Sequence, residues 1–179
     1  MFALTPRLTL RPGWPEDAPA LSRAIAHEAV VMNLARAPWP YALGDAEAFL
    51  SLPRGAHEPR FQIVTRGDNR LIGGVGLVRE EHGHELGYWL TPAAWGRGYA
   101  TEAGRAVIDI ARHALALPRL TARHYCDNPA SGRVLRKLGF VETGRSRTFS
   151  LARGGGVDGV EMALDLTDAE ARPEPAMAA

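Results

Sequence analysis

Leu8 and Leu10 alternate with polar neighbours in RLTLRP (7–12), a period of two that predicts an opening strand. Beyond Pro15 the period lengthens. Leu21, Ile25 and Ala29 recur every four residues and predict a helix whose start tolerates the proline. The prolines and glycine of APWPYALGD (37–45) break that pattern, and a short helix is expected over Ala46–Leu52. RFQIVTR (60–66) and RLIGGVGLV (70–78) read as strands joined by the hairpin signal GDN (67–69). HELGYWL (84–90) continues the meander, with Glu85, Gly87 and Trp89 on one face and Leu86, Tyr88 and Leu90 on the other.

A stripe of Ala100, Ala103, Val107, Ile110, Ala111 and Ala114 predicts a long helix from Gly98 to Leu117, closed by Pro118. RLTARHY (119–125) is another strand. In NPASGRVLRKLG (128–139), Asn128 suits a helix cap, Pro129 the first turn and Gly139 the end. FVETGRSRTFSLA (140–152) and GVDGVEMALDL (156–166) form a terminal hairpin turning at Gly154–Gly156. Strands and helices therefore mix along one α+β domain, residues 1–166. The aperiodic, Pro- and charge-bearing TDAEARPEPAMAA (167–179) is expected to be a disordered tail.

Composition narrows the function. Twenty-one Lys and Arg against 20 Asp and Glu leave a formal charge of +1, without the basic excess of a dedicated nucleic-acid binder. Cys126 is the only cysteine, so an intrachain disulfide and a four-cysteine zinc site are excluded. No apolar run approaches the roughly 18–20 residues of a membrane span. Arg7 and Arg11 interrupt the N-terminal segment where a signal peptide would be apolar. A cytoplasmic setting is expected, with neither nucleic acid nor membrane as partner.

The chemistry concentrates in HELGYWLTPAAWGRGYATEAGRAV (84–107), where a strand, a glycine-bearing turn and a helix start follow in succession. A helix start offers N–H groups without intrahelical partners and the positive end of the macrodipole. Gly96 and Gly98 would let a polyanion approach the N–H groups of Arg97 to Thr101, and Arg97 adds positive charge. A P-loop would need Lys followed by Ser or Thr, which GRGYATEA lacks; a Rossmann loop would need a third glycine and an acidic residue about twenty positions on, where RLTARHY stands. A plain turn without ligand is the bland alternative.

Trp95-Gly96-Arg97-Gly98-Tyr99-Ala100 resembles the acyl-coenzyme-A segment of the GCN5-related N-acetyltransferase (GNAT) superfamily, whose pattern is Gln or Arg, two residues, Gly, one residue, Gly or Ala. Gly98 and Ala100 match it; Trp95 departs at its first position. ELGYWL resembles the strand along the pantetheine arm, and NPASGRVLRKLGF (128–140) the Asn-x-x-Ser helix and following Leu-Gly-Phe. The likeness spans roughly residues 5–166 and is nearest to the subgroup acetylating ribosomal-protein N-termini. It implies a GNAT fold, with a mixed, mostly antiparallel sheet of about six to seven strands flanked by helices. It also implies acetyl-CoA as co-substrate; no metal is expected, on the separate ground of the His82 and His84 spacing. Trp89, Leu90, Trp95, Gly96, Arg97, Gly98, Tyr99, Ala100, Thr101, Asn128 and Ser131 would then bind the coenzyme.

Acetyl transfer from a thioester needs a neutral amine, a stabilised carbonyl oxygen and a donor for the departing thiolate. It needs no protein nucleophile, and nothing flanking Cys126 recommends one. Glu85 is the candidate base: a carboxylate on a mostly apolar strand needs a partner or a purpose, and burial would raise its pKa. Pairing with an Arg or with His84 is the alternative. Ser131 is the candidate acid, on an apolar helix face with Val134, Leu135 and Leu138. The resemblance places this serine at the thiol; a bond to its own helix is the alternative. Asn128 serves as cap and, by resemblance, as a pantetheine contact. Tyr88, Tyr99 and Tyr125 are alternative acids or packing residues. His82 and His84 lack metal-ligand company.

Arg133, Arg136 and Lys137 form a solvated face that a 3′-phosphate could meet, and Trp39, Pro40 and Tyr41 border the acceptor region of this fold. The leading expectation is transfer from acetyl-CoA to a primary amine, a protein N-terminus or a small molecule. A non-catalytic acyl-CoA sensor stands second and a dinucleotide binder third. A homodimer is compatible with the sequence.

Overall fold

The computed structural model describes residues 1–53, 55, 57–81 and 83–167. Among these residues eight strands form one sheet: β1 (Ala3–Leu4), β2 (Leu8–Arg11), β3 (Arg60–Thr65), β4 (Leu71–Glu80), β5 (Gly83–Leu90), β6 (Arg119–Tyr125), β7 (Val141–Ser150) and β8 (Gly155–Asp165). Their spatial order is β1-β2-β3-β4-β5-β6-β8-β7. Every neighbouring pair is antiparallel except β5–β6. The eighth strand, beyond the six or seven expected, is β1, a two-residue edge piece without alternation of its own to announce it.

Helices α1 (Ala18–Ile25), α2 (Glu28–Val31) and α3 (Leu43–Ser51) cover one face. Ala18, Leu21, Ala46 and Leu50 pack there with Leu71 and Trp89. Helices α4 (Tyr99–Asp109) and α5 (Pro129–Lys137) cover the other, where Ala103, Val107, Ala111 and Leu135 join Leu77, Leu86, Leu120 and Met162. The strand alternation read from the sequence is thus buried on both sides, because each face has its own helical layer.

Several boundaries differ from the pattern. The four-residue stripe through Leu21, Ile25 and Ala29 is cut after Ile25, where Ala26 leaves helical geometry (ψ 56°). Helix α3 starts three residues before Ala46, since the Asp45 carboxylate accepts the Ala42 N–H at 2.7 Å and secures its first turn. Helix α4 gives way to a π-helical turn over Ile110–Ala114, so regular helix stops short of Leu117. The last hairpin turns at residues 151–154, with Gly154 at φ 64°, and Gly155 and Gly156 already lie in β8. In the first hairpin, Asn69 (φ 50°) takes the left-handed position that GDN offered. Of the expected tail, Thr167 is tied to Asp165 by its N–H and hydroxyl; residues 168–179 lie outside the described ones, as does His82.

Candidate active site

Strands β5 and β6 run parallel but pair at only two positions among the described residues, His84 with Leu120 and Glu85 with Thr121. Past that point β5 continues to Leu90 bonded to β4, while β6 continues to Tyr125 bonded to β8. The sheet is therefore split, and Glu85 stands at the apex of the split. Strand alternation sends Glu85, Gly87 and Trp89, with Thr121, Arg123 and Tyr125, toward the α1–α3 face; Tyr88 and His124 point to the α4/α5 face.

On the α4/α5 face the β5–α4 turn forms a cradle. Gly96 (φ 74°) and Gly98 (φ 79°) both take left-handed conformations that suit glycine. A Cβ on Gly96 would meet nothing within 4 Å, and one on Gly98 only the Arg7 guanidinium at 3.6 Å. Helix α4 carries no side-chain cap. Its first turn bonds from Glu102 N to Gly98 O, which leaves the N–H groups of Tyr99, Ala100 and Thr101 without intrahelical acceptors. Trp95, half exposed, donates its indole N–H to Leu90 O at 2.8 Å, so the residue that departs from the motif staples the turn to the end of β5.

The cradle is anchored from the far end of the chain. Glu102 accepts from the Thr5 hydroxyl (2.6 Å), Arg7 N (2.9 Å) and Arg7 Nε (2.7 Å), while Arg7 Nη1 donates to Arg97 O at 2.9 Å. The same guanidinium lies 4.5 Å from the Tyr99 ring centroid. Burial pushes the Glu102 carboxyl up, but its hydrogen bonds from Thr5 and Arg7 together outweigh that and hold it below the usual range. Beside this clamp an open depression of about 620 Å3 is lined by Arg7, Arg66, Arg70, Arg97 and Tyr99, among others. Its excess of guanidinium groups suits a polyanion.

Further along the split, Asn128 caps α5 by accepting Ser131 N at 3.2 Å. Ser131 is not bonded back to its own helix by its hydroxyl. Its Oγ lies 2.7 Å from the Tyr88 hydroxyl, a bond that crosses from α5 to β5, and Tyr88 also reaches Ser131 O at 3.1 Å. Burial pushes the Tyr88 phenol up to about 12, against the opposing Ser131 bond. Arg133, Arg136 and Lys137 are exposed, as a solvated face requires. Leu90 is buried in the core cluster. The Trp89 side chain lies on the opposite face, against both clusters under α1–α3, and occupies the space that a side chain on Gly74 would fill.

On the α1–α3 face, Glu85 pairs with Arg123 at 2.8 Å, and Arg123 also donates to Thr148 at 2.8 Å. Burial raises the Glu85 pKa and Arg123 opposes the rise, with burial ahead. The carboxylate thus has a partner and a perturbed proton affinity together. Arg153 fastens the border of this face: it donates to Met32 O (2.7 Å) and to Asp127 (2.6 Å) and lies over the Tyr125 ring. Leu151 N adds a bond to Ala35 O at 2.9 Å. Trp39, Pro40 and Tyr41 belong to the segment that follows, and Tyr41 packs beside Trp89. Cys126 is exposed, 3.4 Å from an Arg145 nitrogen.

Residues 7–141 match the family model of the acetyltransferase (GNAT) domain. The chain belongs to the GNAT acetyltransferase family. The Bacillus subtilis protein named uncharacterized N-acetyltransferase YoaA is 30% identical over 156 residues, 84% of this chain and 88% of that one. Mycobacterium smegmatis RimJ, solved in complex with CoA-disulfide, superposes with a TM-score of 0.77 at 25% identity over 93% of this chain and 84% of that one. The ribosomal-protein-S5-alanine acetyltransferase of Vibrio fischeri shares the fold, with a TM-score of 0.79 at 20% identity over 94% of this chain and 98% of that one. The eight-stranded sheet, open and mostly antiparallel between two helical layers, is accordingly a GNAT fold.

Sequence reasoning brought the cradle and Ser131 into view but missed Arg7, Thr5, Glu102 and Arg123. The last had a signal: an Arg within a strand of alternating burial poses the same question as Glu85 on the neighbouring strand. Arg7 had none, since its partner lies 95 positions away.

Proposed function

We propose that this GNAT protein transfers the acetyl group of acetyl-CoA to a primary amine by direct attack within a ternary complex. The observation that carries the reading is the split between β5 and β6, with a perturbed carboxylate at its apex and an uncapped helix start at its mouth. The residues fit the coenzyme: the left-handed Gly96 and Gly98 keep the cradle clear, and the N–H groups of Arg97 to Thr101 suit its pyrophosphate, with Arg97 adding charge. The β5 backbone at Trp89 and Leu90 runs beside the pantetheine arm, and Asn128 adds a polar contact from α5. That RimJ was solved in complex with CoA-disulfide supports a coenzyme-A ligand for this fold. Trp95 contributes by holding the turn to β5.

Glu85, with its raised proton affinity, accepts the amine proton directly or through water. Ser131 donates to the departing sulfur. Both substrates lie in one split, so proximity supplies much of the rate and no covalent intermediate on the protein is needed. The acceptor class that the resemblance supports is a protein N-terminus of the ribosomal-protein type, with small-molecule amines as the other class.

The test is acetyl transfer from acetyl-CoA to a panel of N-terminal peptides and small amines, read as free thiol, alongside calorimetry of acetyl-CoA. Release with peptides beginning in Ala or Ser, and not with their N-terminally blocked forms, is the expected result. Tight acetyl-CoA binding without transfer to any amine would replace the enzyme by a sensor.

A further inference from the structure

Resting on the reading of Ser131 as donor to sulfur, we propose that Tyr88 is a positioning residue that turns the Ser131 hydroxyl proton toward the departing thiolate. The geometry allows two arrangements of the pair. Tyr88 has one proton to donate and two Ser131 acceptors within reach, Oγ at 2.7 Å and the carbonyl oxygen at 3.1 Å. If Tyr88 donates to Oγ, the serine proton is free to point into the split. If Tyr88 donates to the carbonyl, the serine proton points back at the phenol. Negative charge growing on sulfur favours the first arrangement, because the serine then donates to the charge while its oxygen accepts from the phenol, and each bond strengthens the other.

Two further observations fit a relay better than simple packing. The pair links β5 to the N-terminal turn of α5, so it spans the split at the level where the two strands have already parted. Tyr88 is also half-buried against the core, which holds its ring and leaves the hydroxyl at the split. No proton leaves the phenol. A phenol near 12 is a poor proton source for a thiolate, whose conjugate acid is the stronger of the two. The C–S bond electrons go to sulfur, the thiolate leaves hydrogen-bonded to Ser131, and it takes its proton later from the one released by the amine. Without Tyr88, the Ser131 hydroxyl is free to turn to another acceptor, such as the carbonyl of the cap residue Asn128, where it no longer serves the sulfur.

The experiment uses CoA carrying 13C at its thiol-bearing carbon. Its chemical shift is titrated by NMR on the wild-type protein and on Tyr88→Phe, Ser131→Ala and the double variant, with each CoA affinity measured by calorimetry. In the wild type the bound thiol is expected to ionise about one pH unit below free CoA. Tyr88→Phe and Ser131→Ala should each remove most of that shift, the double variant should remove no more than Ser131→Ala, and the CoA affinity of Tyr88→Phe should stay within about threefold of wild type. A wild-type titration on Tyr88→Phe, with the shift lost in Ser131→Ala, overturns the relay and leaves Ser131 as donor. A wild-type titration on Ser131→Ala overturns both, and loss of CoA binding in Tyr88→Phe overturns the positioning role. Should the phenylalanine variant fail to fold, 3-fluorotyrosine at 88 keeps the shape and strengthens the donor. The relay requires the bound thiol to ionise at still lower pH there, and an unchanged or higher value overturns it.

Discussion

The two faces of the β5–β6 split are held together by different means. On the α4/α5 side the features that define the cradle are backbone ones, two left-handed glycines and an uncapped helix start, all within residues 96–101. On the α1–α3 side they are side-chain links between remote segments, Glu85 with Arg123, and Arg153 with Met32 and Asp127. Backbone recognition tolerates many side chains but few conformations. Side-chain links tolerate many conformations but depend on identity. Under the proposed function, the coenzyme falls to the first face and the acceptor amine to the second.

The sharpest way to break this contrast is at Gly98. Gly98→Trp places an indole at the uncapped start of α4, and acetyl-CoA affinity is expected to fall at least ~100-fold by calorimetry, the cost of losing several charge-assisted bonds. Gly96→Ala separates strain from filling. It bears the same left-handed cost of about 1 kcal/mol, yet its methyl would meet nothing within 4 Å. Its affinity should stay within about tenfold of wild type. Equal losses in the two variants would show that loop conformation, and not the space over Gly98, governs binding.

On the other face, Glu85→Gln is expected to lower turnover by about 100-fold where the carboxylate is ionised and the amine still protonated. Burial raises the Glu85 pKa, so the wild-type rate should climb as pH rises through a value above the ordinary 4.5. As pH approaches the amine's own pKa, near ~8 for an α-amine, the amine deprotonates unaided and the variant should close the gap. Acetyl-CoA affinity should not move, because the residue faces the other side. A pH–rate profile parallel to wild type would remove Glu85 from the chemistry and leave it as the partner of Arg123.

What the sequence showed follows the same division. Gly98, Asn128, Pro129 and Ser131 were legible because a helix start is a local event whose cap, proline and glycine fall within a few residues. Glu85 was legible as an anomaly, a charge on an apolar strand, but its partner depended on which strand lay alongside, and β5 and β6 are separated by all of α4. Trp89 illustrates the limit. The resemblance of ELGYWL implied contact with the coenzyme, and alternation set its side chain on the Glu85 face, but only the packed helices α1 and α3 show where the indole goes. The cut after Ile25 and the edge strand β1 were invisible because neither changes the spacing of apolar residues.

The smallest expected effect tests whether the α4/α5 face is as independent of side chains as it looks, because Glu102 and Arg7 form a clamp across it. The Glu102 pKa is held below its ordinary 4.5, so the clamp's contribution to stability is present above that value. It is lost as pH falls through the lower folded one. Arg7 is half exposed and water screens the pair, so Glu102→Gln should cost only about 1 kcal/mol in urea denaturation at pH 7. The difference from wild type should shrink on acidification below the ordinary value, since the wild-type carboxylate is then neutralised too. Acetyl-CoA affinity should change less than about threefold, because the glutamine can still accept from Thr5 and Arg7 N and the glycines keep their geometry. A drop as large as that of Gly98→Trp would show that the cradle is shaped by a long-range side-chain pair, like the face across the sheet, and the contrast between them would collapse.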